Sequence, residues 1–123
     1  MRVYLLDSVI LIDHLNGVQK ATDFIRENHG ECCISVITRA EVLAGVEEKD
    51  LPSVKQLLDR FTHFDICRST ADLAAKLRHI YGWKLPDALQ AAVTQENDLK
   101  LVTRNTKDFS PQSHSFVMVP YSI

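Results

Sequence analysis

Short apolar runs alternate with stretches of helical spacing along this chain, and no run exceeds a few residues before a polar or turn residue interrupts it. Val3-Tyr4-Leu5-Leu6 stops at Asp7. Runs this brief, apolar on both faces, are the mark of buried parallel strands, and parallel strands need crossover helices between them. Further strands are expected at Cys32–Ile37, Phe64–Cys67, Leu99–Thr103 and Phe116–Pro120, the last of them an edge strand. Between these lie helical segments. Val9–Ile12 is broken by Asn16-Gly17, and Val18, Ala21, Phe24 and Ile25 recur at helical spacing. One helix is opened by Thr38 and closed near Gly45, and another carries the stripe Leu51, Val54, Leu57, Leu58 and Phe61. Ser69-Thr70 cap a helix that ends at Gly82, and Leu85-Pro86-Asp87 open one running to about Glu96. The alternation predicts an α/β fold with a mostly parallel central sheet flanked by helices. With 123 residues and no linker or repeat, the expectation is a single domain, 1–123.

Composition removes several functions. The net charge of −2 and pI near 6.2 exclude binding nucleic acid by bulk positive charge. Cys32, Cys33 and Cys67 are odd in number and show no CxxC spacing, which disfavours a disulfide framework or zinc site and predicts buried free thiols in a reducing compartment. The five histidines show no HxxxH or HExxH pairing. Asp7 and Asp13 cut the opening apolar run, so neither a signal peptide nor a membrane span is expected, and the predicted location is cytoplasmic.

In an open parallel sheet, ligands sit beyond the carboxyl ends of the strands. Asp7, Glu41, Asp87 and Asp108 all fall at such places, although they come from distant parts of the sequence. Gathered carboxylates repel one another and stay ionised together only against cations. Hard oxygen donors without Cys or His point to Mg²⁺ or Mn²⁺. Each acid also has an ordinary explanation. Thr38-Arg39-Ala40-Glu41 matches a capping box, Asp87 suits a helix first turn, and Asp108 and Asn105 suit turns. Asp7 is harder to dismiss, because it interrupts the apolar run Val3–Ile12, where a carboxylate is costly without partners. Glu47, Glu48 and Asp50 read as a solvated face.

Four segments together resemble the PIN domain. They are Val3–Asp13, with a strand ending in Asp7-Ser8; Ser35–Gly45, containing Glu41; Leu85–Ala92, containing Asp87; and Leu101–Phe109, containing Asn105 and Asp108. The chain's length is similar to that of the stand-alone VapC toxins of type II toxin–antitoxin modules. The resemblance implies a three-layer PIN-like fold and a Mg²⁺- or Mn²⁺-dependent endoribonuclease that cleaves RNA phosphodiester bonds with metal-activated water. It implies metal ligation by Asp7, Glu41 and Asp87, with Asp108 or Asn105 completing the set, and supporting roles for Ser8, Thr103 and Asn105. Arg104 and Lys107 are candidates for phosphate contacts. The implied partners are RNA, a cognate antitoxin that blocks the acidic pocket with an Arg or Lys, and a second copy of the chain within a higher toxin–antitoxin assembly, with no membrane. The Leu51–Phe61 stripe is either core or a docking face.

Three alternatives compete. A receiver-type phosphoacceptor requires an acidic pair after the first strand, whereas Asp7 is followed by Ser8, and Asp65 falls inside the third strand expected here. A haloacid-type phosphatase requires Asp-x-Asp, which Asp7-Ser8-Val9 lacks. A catalytically inactive PIN-like binding scaffold would not need all three of Asp7, Glu41 and Asp87.

Overall fold

A computed structural model of the chain describes residues 1–123. Five strands, β1 (Tyr4–Leu6), β2 (Cys32–Ser35), β3 (Thr62–Phe64), β4 (Lys100–Val102) and β5 (Val117–Met118), form one sheet in the order β3-β2-β1-β4-β5. Every pairing is parallel. Six helices cover the sheet: α1 (Ser8–Leu15), α2 (Gln19–Glu27), α3 (Val36–Ala44), α4 (Leu51–Leu58), α5 (Arg68–Tyr81) and α6 (Leu85–Glu96). The layered α/β reading is therefore met, with the sheet wholly rather than mostly parallel. The strand order also sets the receiver reading aside, because that fold orders its strands 2-1-3-4-5. Asp65 follows β3 instead of lying within it.

Strand alternation sorts the core into two layers. Leu5, Cys33 and Leu101 face α5 and α6, packing with Ala74, Leu77, Ala88, Ala91, Ala92 and Trp83. Leu6, Cys32, Ile34 and Val102 face the other way, with Ile10, Leu11, Val42, Val54, Leu58 and Phe61. The stripe on α4 is thus core, and its residues Val54, Leu58 and Phe61 are not available for docking. Leu85, which opens α6, is half exposed. Cys32 and Cys33 are buried free thiols on opposite faces, and burial pushes them up to about 12 and about 11. Cys67 departs from expectation, because it is exposed where α5 begins.

Local boundaries differ from the sequence reading in three places. The second strand ends at Ser35, whose hydroxyl caps α3 by accepting from the Thr38 backbone N–H at 3.2 Å. Thr38 therefore lies inside the helix and Glu41 a further turn along it, so the capping box does not exist. The third strand is Thr62–Phe64, sharing only Phe64 with the expected run. In α5 the cap position is Cys67, and Ser69 and Thr70 bond its sulfur from within the first turn. Other punctuation is as read. Gly82 ends α5 in the left-handed region at φ +73°, where a Cβ would be strained. Pro86 sits in the first turn of α6. No helix is long and apolar enough to cross a membrane.

Ala74, Ala88, Ala91 and Ala92 are all fully buried, so α5, α6 and the sheet meet closely on small side chains. Ala92→Leu should overpack this layer and cost about 1–3 kcal/mol, read as a lower midpoint in urea denaturation.

Candidate active site

The strand order places the topological switch between β1 and β4, since the chain leaves β1 toward β2 on one side and returns to β4 on the other. A crevice opens there at the carboxyl ends of the strands. Asp7 directly follows β1 and is the N-cap of α1, only 7% exposed. Its Oδ1 accepts from the Ser8 backbone N–H at 2.9 Å and from Gln90 Nε2 at 3.5 Å. Its Oδ2 accepts from the Thr103 hydroxyl at 2.8 Å. Burial pushes the carboxyl up, and these three hydrogen bonds pull it part of the way back.

The other three acids converge on the same edge. Asp87, in the first turn of α6, is pushed up to about 6, first by desolvation and then by the charges of Asp7, Asp108 and Glu41. Glu41 on α3 is raised by desolvation in the cleft and by Asp7, with the nearby Ser8 side chain lowering it. Four acids from four separate segments thus act on one another. No three of them lie together closely enough to form a ready metal-binding cluster. In kind and charge the set suits a hard divalent ion, since every donor is oxygen and the four acids outnumber the one cation, Lys84, that acts on Asp87.

The supporting residues fall into two groups. Thr103, fully buried just beyond β4, bridges by donating to Asp7 and accepting from the Asn105 backbone N–H at 3.0 Å. Ser8 reaches Glu41. Asn105 Nδ2 faces Asp108 Oδ2 at 3.4 Å, so of the two candidates for the fourth position Asp108 brings the charge and Asn105 sits beside it. Lys107 is exposed and forms no ion pair. Arg104 is otherwise engaged. Its Nε and Nη2 grip both oxygens of the buried Asp13 at 2.6 and 2.8 Å, and the Tyr121 hydroxyl donates to the same carboxylate at 2.8 Å. The guanidinium expected to contact phosphate is thus committed here as a two-pronged clamp on Asp13.

Sequence reasoning missed Gln90, Lys84 and the structural role of Asp13. Gln90 is 1% exposed, and its amide donates to Thr38 Oγ1 at 2.6 Å and accepts from the Ser35 hydroxyl at 2.6 Å. Thr38 in turn donates to the Leu6 carbonyl at 3.0 Å. The available signal was its place three residues after Asp87, on one helix face. Lys84, the N-cap residue of α6, acts on Asp87 as its nearest compensating cation.

A PIN-domain family model matches residues 4–111. The chain belongs to the PIN-domain family. Among its relatives is Ribonuclease VapC10 of Mycobacterium tuberculosis, to which it is 33% identical over 112 residues, 85% of this chain and 84% of that protein. It is 33% identical to Ribonuclease VapC19 of the same organism over 113 residues, 85% and 90% of the two chains. A toxin–antitoxin complex from Klebsiella pneumoniae contains a chain that superposes with TM-score 0.90 at 35% identity, over 98% of this chain and 99% of that one. A DNA-bound VapBC from Salmonella typhimurium shares the fold, with TM-score 0.77 at 22% identity over 89% and 91%.

Two outcomes follow. The folded-state value of Asp87 lies above its unfolded value, so the folded protein binds this proton more tightly and loses stability as pH rises from about 4 through about 6. In EDTA, the melting temperature of Asp87→Asn should gain on wild type across that window and hold its lead above it. Arg104→Ala should cost about 2 kcal/mol in chemical denaturation, because it leaves Asp13 buried with only Tyr121 as a side-chain partner.

Proposed function

We propose that this protein is a Mg²⁺- or Mn²⁺-dependent endoribonuclease and the toxin of a toxin–antitoxin pair. The observation that carries this reading is the mutual action of Asp7, Glu41, Asp87 and Asp108 at the switch point of the sheet, with Asp87 lifted to about 6. The kinship with proteins named as VapC ribonucleases supports the reaction class.

Asp7, Glu41, Asp87 and Asp108 would hold the ion. When bound, it supplies charge neutralisation at the phosphate and makes water more acidic. The chain's own residues do the rest. Thr103, the Ser8 N–H and Gln90 fix the Asp7 carboxylate in one orientation, so its lone pairs are aimed without reorganisation at the moment of reaction. Asn105 steadies Asp108, and Ser8 lies beside Glu41. Lys84 beside Asp87, and Lys107 in the loop after β4, are the cations placed to take phosphate oxygens.

The same reading assigns a cognate antitoxin as inhibitor and a homodimeric toxin within a larger assembly. It is supported by the likeness to a chain of the Klebsiella toxin–antitoxin complex. Expression of this chain alone should arrest growth, and co-expression with the adjacent small open reading frame should relieve it. A harmless wild-type chain without nuclease activity in vitro would move the inactive-scaffold reading ahead.

Glu41 gives the sharpest test of the chemistry. It lies beyond the first turn of α3 and caps nothing, so Glu41→Gln should leave the melting temperature nearly unchanged. Cleavage of RNA in Mg²⁺ should fall by more than about tenfold, because a neutral amide replaces a carboxylate donor. EDTA should abolish wild-type cleavage. Full activity in Glu41→Gln would remove Glu41 from the site.

A further inference from the structure

The largest pocket of the molecule lies away from the carboxylates. It has a volume of about 420 Å³ and opens between the carboxyl end of α6 and the segment leading into β5, with Tyr81, Gln95, Asp98, Ser113, His114 and Phe116 in its wall. That volume falls within the range of small-molecule sites. Nothing in the nuclease reading uses it.

Its wall is aromatic on one side. Tyr81 is half exposed. One face is stacked on Trp83 at 4.4 Å and 17°. Trp83 is itself buried and held edge-on by Phe109 at 4.9 Å and by His114 at 5.1 Å. The exposed ring is therefore fixed in orientation before anything binds, and a flat ligand that stacks on it meets a preorganised surface.

Two polar side chains of the wall are uncommitted. Gln95 and Asp98 are exposed, and neither side chain takes part in a hydrogen bond or ion pair within the chain. Asp98 is held by its backbone at φ 53°, just past the end of α6. At the rim, Lys100 donates to the Ser115 carbonyl at 2.7 Å and brings a positive charge there.

We infer that this pocket binds an unstacked guanine base of the RNA, stacked on Tyr81 and read by the Asp98 carboxylate. Aromatic stacking accepts any base, so Tyr81 provides affinity and not choice. Choice comes from the carboxylate, which has acceptor sites on both oxygens and no donor. Guanine alone among the four bases offers two adjacent donors on its Watson–Crick edge, the N1–H and the N2 amino group, and these match a carboxylate in a paired fashion. Gln95 supplies both a donor and an acceptor for the remaining edge atoms. The inference takes its ligand class, RNA, from the nuclease reading. The pocket and the acidic edge are joined by α6, which carries Asp87 near one end and Gln95 eight residues on, about 12 Å along its axis. Lys84 lies in the turn that follows Tyr81 and borders Asp87, so one strand can pass from the carboxylates to the pocket along a cation and an aromatic ring.

The test is binding of GMP, AMP, CMP and UMP to the full chain in EDTA, followed by calorimetry and by fluorescence of the single tryptophan, Trp83. GMP should bind tightest. Asp98→Asn should weaken GMP at least tenfold and change the other three by less than twofold. This variant is safe for the fold, because Asn accepts positive φ readily. Tyr81→Leu should weaken all four nucleotides, and Tyr81→Phe should keep wild-type affinity. Equal binding of all four nucleotides, or GMP binding unchanged in Asp98→Asn, overturns the inference. So does a wild-type dimer that binds no nucleotide and dissociates on Tyr81→Leu, since the exposed Ile80, Tyr81 and Leu85 would then face a second copy. The two readings fail separately. GMP preference without RNA cleavage in Mg²⁺ keeps the pocket and removes the nuclease, and cleavage without GMP preference does the reverse.

Discussion

A carboxylate buried at the carboxyl end of the central strand governs this molecule. Asp7 sits where β1 gives way to α1, among residues that are otherwise apolar. Leaving it there unpartnered would cost several kcal/mol, so the surrounding chain is built to satisfy it. Thr103 comes from the end of β4, Gln90 from the inner face of α6 and the Ser8 N–H from the first turn of α1. Gln90 then extends the network through Thr38 and Ser35 to α3 and β2, and Thr38 returns it to the Leu6 carbonyl. One charged group thereby ties together three neighbouring strands and the helices that follow or cover them. No buried side-chain polar atom is left without a partner. A half-satisfied network would be worse than an apolar core.

The network is rigid on its inner side and repulsive on its outer side. Hydrogen bonds hold Asp7, while Glu41 and Asp87 approach it with like charge and Asp108 approaches Asp87. This tension has no structural benefit, since removing an acid from such a set relieves repulsion. It is the arrangement expected where stability is traded for function. The Asp13–Arg104–Tyr121 group is the contrast. There the carboxylate meets an opposite charge and a hydroxyl, and Arg104 holds it well below the usual range. Its role is to pin the loop after β4 and the C-terminal segment against α1. Two buried aspartates six residues apart thus serve opposite purposes, and only their partners distinguish them.

Most of the fold was legible because its signals were local. Runs such as Val3–Leu6 and Leu99–Thr103 could only be buried strands, and Gly17, Gly82 and Pro86 punctuated the helices as their backbone preferences require. The errors came where tertiary contacts overrode local pattern. Val36 and Ile37 look like strand residues, yet Ser35 caps a helix there because its hydroxyl is held by Gln90 from fifty-five residues away. The capping-box match at Thr38–Glu41 failed for the same reason. Asp7 could be picked out from the sequence, since an acid inside an apolar run demands an explanation. Gln90 could not, because a glutamine on a helix is ordinary until its burial is known. The pairing of Arg104 could not be read either, because its partner, Asp13, lies ninety-one residues away.

The central claim is that the acidic edge is a cation site organised by Asp7. Calorimetric titration of Mn²⁺ into wild type and Asp7→Asn tests it directly, with both melting temperatures measured in EDTA. The near-isosteric substitution keeps the shape and removes a buried charge, so the apo melting temperature should hold or rise while Mn²⁺ binding is lost. Unchanged Mn²⁺ affinity in Asp7→Asn would contradict the account, and a large fall in apo stability would make Asp7 a structural residue instead.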